Sequence, residues 1–195
     1  MNDQYLLEVE VKYFVDDEKH LRVCLDSLGA IELAAEHHID TYYAHPCRDF
    51  RQTKEALRLR RINGQPFITY KGPKLPGDVK VRRELEWSLA PGDEMGELTE
   101  ELWRQLGFSP VAVVDKIRRP FEFLQPGQKL QITIDTVQEV GVYAEIEILA
   151  KPANMEEARV AVLAMARKLE LSRLESLSYL GLLLQNREQI SGDSR

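Results

Sequence analysis

Glu8-Val9-Glu10-Val11-Lys12 is the stretch on which the reading of this chain turns. It lies in a run from Leu6 to Val15 where charged Glu8, Glu10 and Lys12 take every second position and apolar Leu7, Val9 and Val11 fill the gaps. Side chains alternate faces along a β-strand, so this is one strand with two carboxylates and an ammonium on a single face. One such strand in isolation ordinarily shows its charges to water. Which way the charged face looks depends on the other strands.

The following residues predict alternating elements. Asp16 or Asp17 caps a helix carrying Leu21, Leu25 and Leu28 on one face, and Gly29 ends it. Ile31 to Ala44 reads as a second strand, His45 to Asp49 as a loop, and Ala56 to Ile62 and Pro66 to Lys71 as a hairpin around Asn63-Gly64. Gly72 to Asp78 is a Gly/Pro-rich turn, and Lys80 to Leu89 is the fifth strand. A helix capped by Asp93 carries Leu98, Leu102 and Leu106. Val111 to Arg119 is a strand stopped by Pro120. Gln125 to Gln128 is a turn, and Lys129–Val137 and Val142–Leu149 form a hairpin. Asn154 with Glu157, and Ser172 with Glu175, have capping-box spacing. They predict two last helices, one with Val160, Leu163 and Leu169, the other with Leu174, Leu177 and Leu184. Short connections favour antiparallel pairing. The expected organisation is one domain over 1–189 and a flexible tail over 190–195.

Aligned by parity, the strands repeat the first pattern. Arg58 and Arg60 alternate with Leu57 and Leu59; Lys71 follows Thr69 by two; Lys80, Arg82, Glu84 and Glu86 share a face. Lys116 and Arg118 share another, as do Gln131, Thr133 and Asp135, and Glu145 and Glu147 alternate with Ala144, Ile146 and Ile148. One face of the sheet is therefore charged and the other apolar. Either an open sheet shows the charged face to water, or the sheet closes with that face inside and the helices outside. The closed form has a strict condition, since buried charges must neutralise one another or a ligand and its ions. A triphosphate meets it: its oxygens suit Lys and Arg, and its bound Mg²⁺ or Mn²⁺ suits carboxylates.

The motifs then acquire a family likeness. Glu8-Val-Glu-Val-Lys12 resembles the ExExK signature of the CYTH superfamily, which includes CyaB-type class IV adenylyl cyclases and thiamine triphosphatase. Asp40-Thr-Tyr-Tyr43, Ala56-Leu-Arg-Leu-Arg60, Thr69-Tyr-Lys-Gly-Pro73, Arg82-Arg-Glu-Leu-Glu86, Lys116-Ile-Arg118, and Asp135, Gly141 and Glu145-Ile-Glu147 resemble its later segments, in family order; Ser178-Tyr179 resembles a feature of its last helix. Tyr43 stands where the family often has Phe, and the Q-G-Y-L pattern of bacterial inorganic triphosphatases is missing. The resemblance implies an α+β fold, the triphosphate tunnel: a closed eight-stranded antiparallel β-barrel with helices packed outside. It implies that Lys12, Arg58, Arg60, Lys71, Arg82, Lys116 and Arg118 hold phosphate oxygens, with Lys12, Arg58, Lys71, Lys116 and Arg118 catalytic. It implies that Glu8, Glu10, Asp135, Glu145 and Glu147 hold Mg²⁺ or Mn²⁺, with Glu84 and Glu86 orienting basic residues or binding a second metal.

Three activities fit these residues. A class IV adenylyl cyclase would convert ATP to cyclic AMP and pyrophosphate, a triphosphatase would hydrolyse inorganic, thiamine or nucleoside triphosphate, and a non-catalytic protein would bind triphosphate or polyphosphate. The missing Q-G-Y-L pattern tilts the reading toward the cyclase and thiamine triphosphatase side, and the CyaB-like branch resembles the chain most evenly along its length. The net charge of −6 argues against a nucleic-acid coating surface. No apolar run approaches membrane-spanning length, and Met1 to Tyr5 does not begin a secretory signal. Cys24 and Cys47 form no metal-ligand spacing and no disulfide framework, which makes the cytoplasm the expected compartment. A homodimer is expected by resemblance alone. His37-His38 face opposite sides of a strand and do not pair as zinc ligands. Tyr42, Tyr43, His45 and Trp87 either line a barrel mouth or belong to ordinary core and rim packing, and Lys74 and Lys80 flank a Gly/Pro loop that either closes over substrate or, as expected here, is a solvated turn.

Overall fold

The computed structural model describes residues 6–77, 79–89, 91–123 and 130–192. The Glu8–Lys12 stretch forms the middle of β1 (Leu7–Phe14). After it come α1 (Glu18–Ser27), β2 (Ala30–Glu32), β3 (Glu36–Ala44), the single turn α2 (Phe50–Thr53), β4 (Ala56–Ile62), β5 (Gln65–Lys71) and β6 (Lys80–Ser88). Then follow α3 (Glu97–Gln105), β7 (Ser109–Phe123), β8 (Leu130–Val137), β9 (Gly141–Ala150), α4 (Met155–Lys168) and α5 (Tyr179–Gly192).

The strands hydrogen-bond in the order β7-β3-β4-β5-β6-β1-β9-β8, and β8 returns to β7, so eight antiparallel strands close a barrel. The short β2 is the addition. It continues the line of β3 along one edge of β7, so that Phe121 and Glu122 pair with β2 on one side and β8 on the other. The expected single strand over 31–44 is therefore two strands on one partner. β7 also runs through Pro120 instead of stopping there. The Pro120 carbonyl accepts from the Leu33 N–H at 2.9 Å, so its nitrogen, which has no proton to donate, faces the break between β2 and β3. No ladder bond is lost at that point.

Closure buries both faces of β1. Leu7, Val9, Val11 and Tyr13 point outward into the main core, joined by Leu21 and Leu25 of α1 and by Ala158, Val162, Ala166 and Leu169 of the α4 region. Small residues on α4 let the helix lie close to β1 and β9; Val160, expected on the buried face, is exposed. The Asp17 carboxylate accepts from the Lys19 and His20 N–H groups and fixes the start of α1. Asn63 (φ 50°) and Gly64 (φ 88°) form the left-handed turn between β4 and β5.

Two helix expectations are corrected. On α3 the leucine stripe Leu98, Leu102 and Leu106 is exposed, and Trp103 is the residue that packs inward, edge-on to Tyr43 at 4.9 Å between ring centres. The indole fills the space between β3 and the chain after α3, which the leucines on the other side cannot reach. Asp93 does cap this helix from a distance, accepting from the Leu98 and Thr99 N–H groups, while Gly96 (φ 76°) takes the N-cap position. Ser172 and Glu175 open no helix. That segment is extended, the Glu175 N–H donates to the Lys12 carbonyl, and Leu174 bridges to Tyr13. The last helix starts only at Tyr179, with the Ser178 hydroxyl accepting from Gly181 N–H. The turn expected over 125–128 lies outside the described residues.

Candidate active site

The inward side of the barrel is the charged face. Glu8, Glu10, Lys12, Asp40, Arg58, Arg60, Lys71, Lys80, Arg82, Lys116, Asp135 and Glu145 are all buried. Most of them line one cavity of about 2210 Å³. Every strand of the ring except β8 contributes a charged residue to that lining, and β8 supplies Gln131.

Cross-strand register decides who meets whom. Asp40 on β3 lies opposite Arg60 on β4, and its carboxylate accepts from Arg60 at 2.7 and 2.8 Å and from Arg58 at 3.1 Å. Asp135 on β8 lies opposite Arg118 on β7 and accepts from Arg118 at 2.8 and 2.7 Å, from Lys116 at 2.7 Å and from the Tyr179 hydroxyl at 3.0 Å. Despite burial, these cations hold both aspartates well below the usual carboxylate range. Glu145, opposite Lys12 on β1, also accepts from Arg118. Burial, reinforced by Arg118, pulls Lys116 down to about 8. Burial, reinforced by Lys80, pulls Lys12 down to about 7. The Lys12 ammonium also sits 4.0 Å from the centre of the Tyr179 ring.

The glutamates are arranged differently. Glu10 lies opposite Lys80 on β6 and opposite Glu147 on β9. Carboxylate oxygens of Glu8, Glu10 and Glu147 all come within 4.8 Å of one another. Glu8 accepts from Lys71 at 2.7 Å and Arg82 at 3.4 Å, and Glu10 from Lys80 at 2.9 Å. Among the described residues no cation lies within ion-pair distance of Glu147. Burial pushes Glu147 up, and burial pushes Glu8 up to about 8, since Glu84 and Glu10 repel it and Glu84, 2.6 Å from Lys71, competes for that ammonium. Glu10 goes the other way: Lys80, Lys71 and Lys12 outweigh its burial.

Three carboxylates facing one point, two of them holding protons too tightly, form a donor set with unmet negative charge. Like charges directly across a ladder destabilise a sheet, and a hard divalent cation accepted by all three relieves that repulsion. The residues present therefore fit a divalent metal. Of the five carboxylates expected to hold metal, the structure brings Glu8, Glu10 and Glu147 together and places Asp135 and Glu145 against Arg118. The seven expected phosphate-binding cations all face the cavity. Glu84 and Glu86 lie among Lys71, Arg58 and Arg60, the Glu86 carboxylate accepting from Thr69 at 2.7 Å.

Several cavity residues escaped the sequence reading. Lys80, on the charged face of the fifth strand but expected to be solvated where it flanks the Gly/Pro loop, is buried on Glu10. Asp40 was visible only as part of a motif. His38 faces inward beside Lys116, and burial together with Arg60 pulls it down to about 2, so the ring is neutral. Period-two alternation through His38, Asp40 and Tyr42 was the available signal for both. Tyr42, Tyr43 and His45 line the cavity; Trp87 is exposed on the opposite face of β6 and does not.

Residues 6–179 match the model of the CYTH domain. The chain belongs to the CYTH family. CYTH proteins are triphosphate tunnel metalloenzymes, so membership brings a triphosphate class of substrate and a divalent metal with it. The chain is 33% identical over 142 residues, 73% of its length and 77% of the relative's, to a Methanocaldococcus jannaschii protein named "Putative adenylate cyclase MJ0240". It resembles the solved structure of the PH1819 protein of Pyrococcus horikoshii at 36% identity and a TM-score of 0.81, covering 92% of this chain and 99% of that one. The fold is shared more distantly, at 14% identity and a TM-score of 0.64, with a Hippeastrum protein named "Putative adenylyl cyclase HpAC1" and described as revealing a dominant triphosphatase activity, over 92% of this chain and 95% of that one. Among the described residues no helix is long and apolar enough to cross a membrane.

Proposed function

We propose that the tunnel is the active site of a divalent-metal-dependent class IV adenylyl cyclase, in which the ribose 3′-oxygen of ATP bonds to the α-phosphorus and pyrophosphate leaves. The observation that carries this reading is the division of the cavity. Its inner wall presents Arg58, Arg60, Lys71, Arg82, Lys116, Arg118 and Lys12, while the chain from Tyr42 on β3 leads past its end to His45 and to Phe50 on α2, whose rings are tilted by 48° with 5.6 Å between centres. A triphosphate bearing a flat organic group uses both parts.

Asp40 and Asp135 hold the guanidinium forks in place before substrate arrives, so little reorganisation opposes the charge that builds on the transferring and leaving phosphates. Glu84 and Glu86 orient Lys71, Arg58 and Arg60 in the same way. Glu8, Glu10 and Glu147 would hold the metal, and Asp135 and Glu145 fix the basic residues. A divalent ion there neutralises phosphate charge and lowers the pKa of an attacking hydroxyl when bound.

The test is product analysis with ATP, thiamine triphosphate and inorganic triphosphate, each with Mg²⁺ and with Mn²⁺. Cyclic AMP and pyrophosphate from ATP are expected. Orthophosphate release without cyclic AMP at neutral and alkaline pH would replace the cyclase with a triphosphatase. Triphosphate binding without turnover of any of the three would leave a carrier.

A further inference from the structure

Among the described residues there are two places where three metal-ligating side chains converge. One is the tunnel. The other is on the outside, where α1 meets the end of α4, and none of its residues lines the tunnel cavity. His20 and Cys24 stand one helical turn apart on α1, so their side chains share a face. Glu170 follows the last turn of α4 and reaches the same point. His20 Nε2 lies 2.9 Å from Glu170 Oε2 and 3.6 Å from Cys24 Sγ.

Both contacts use the same ring nitrogen, and hydrogen bonding cannot satisfy both. With a proton, Nε2 donates to Glu170 and leaves the thiol no acceptor there. Without one, it accepts from the thiol and turns its lone pair on the carboxylate. A cation at the common focus resolves the conflict, because thiolate, imidazole lone pair and carboxylate all point their electron pairs at it. The spacing agrees. Metal distances of about 2.3 Å to sulfur and about 2.0 Å to nitrogen put the two donors about 3.6 Å apart in a tetrahedron. The Glu170 side chain is largely exposed and free to swing a few tenths of an ångström, opening the shorter edge to its tetrahedral length.

We propose that His20, Cys24 and Glu170 bind one borderline-soft divalent cation of the zinc type, with water as fourth ligand, and so tie α1 to the end of α4. The donor chemistry separates this site from the tunnel. A thiolate and an imidazole suit zinc or cobalt, whereas carboxylates alone suit magnesium or manganese. Leu21 and Leu25 anchor the helix in the main core, which fixes His20 and Cys24 before a metal arrives.

The test uses full-length reduced protein carrying Cys47→Ser and titrated with Co²⁺, whose thiolate charge-transfer absorption reports sulfur ligation and is silent to the carboxylate tunnel. One equivalent per chain is expected to produce the band, and Zn²⁺ to abolish it. Adding Cys24→Ser should remove the band. His20→Gln and Glu170→Gln should each weaken binding by about tenfold or more, as loss of a supporting group at a metal site does. Zn²⁺ should raise the melting temperature of the Cys47→Ser protein but not of the Cys24→Ser variant. Absence of the band at saturating cobalt, or a band unchanged by His20→Gln, overturns the proposal. Turnover in the tunnel with Mg²⁺ should be the same in the Cys24, His20 and Glu170 variants as in their Cys47→Ser parent, which separates this result from any failure of the cyclase reading.

Discussion

Asp40 and Asp135 are as deeply buried as Glu8 and Glu10, at 1%, 0%, 4% and 5% exposure, yet the two kinds of carboxylate sit in opposite electrostatic situations. Each aspartate is a short side chain held between two cations and kept ionised by them. The glutamates reach further from the wall and meet one another across the ladder, and Glu8 and Glu147 hold protons more tightly than an exposed acid would. The aspartates complete a rigid basic surface, and the glutamates leave a demand for positive charge. In one barrel, the first arrangement supports the fold and the second prepares a site.

The largest effect expected from this contrast is on stability. Asp135→Asn or Asp40→Asn takes from two buried cations the carboxylate they share, and urea denaturation should show a loss of about 3–5 kcal/mol. Glu147→Gln should do the reverse. It removes a repelled, desolvated acid, so stability should stay within about 0.5 kcal/mol of the parent or rise, the background for substitutions without a packing cost. Metal-dependent turnover should meanwhile fall at least about tenfold to a hundredfold, in line with damage to a metal site. Equal stability losses in the Asp and Glu variants would erase the distinction.

Metal addition sharpens the comparison next. Mg²⁺ or Mn²⁺ at about one hundred times its dissociation constant should stabilise the parent by about 2.7 kcal/mol. Glu10→Gln should lose that gain, and calorimetric scans with and without chelator read it directly.

The pH responses should also separate. Asp40 and Asp135 have lowered folded-state pKa values, so the native state binds fewer protons than the unfolded one. Their contribution is fully present above the ordinary aspartate value of 3.8 and is lost as the pH falls below it. Lys116, pulled down to about 8, should lose its proton as the pH rises through that value, so affinity for inorganic triphosphate should weaken above it. Calorimetric titration at fixed ionic strength across that range checks the sign. Tyr179→Phe probes the aspartate side without removing its charge. Loss of one hydrogen bond to the ionised Asp135 should cost about 1.5–3 kcal/mol, less than removing the carboxylate itself.

By itself the sequence determined the alternation of charged and apolar positions in β1 and β4 to β9, and with it which side chains share a face. That followed from local geometry, because a strand has period two whatever surrounds it. The order of the motifs also carried the family and the seven cations. Three matters were left to tertiary structure. The side of the sheet that is enclosed depends on β1 pairing with both β6 and β9 and on β3 pairing with β7, long-range pairings that no local pattern encodes. Pro120 could stay in a strand only because β2 and β3 part opposite it. Which carboxylates face one another and which face cations depends on cross-strand register: Glu10 meets Glu147 across strands far apart in the chain, and Asp135 meets Arg118 across two successive strands. Packing of α3 was decided the same way, by one indole that found a pocket behind Tyr43 while three leucines at helical spacing stayed outside.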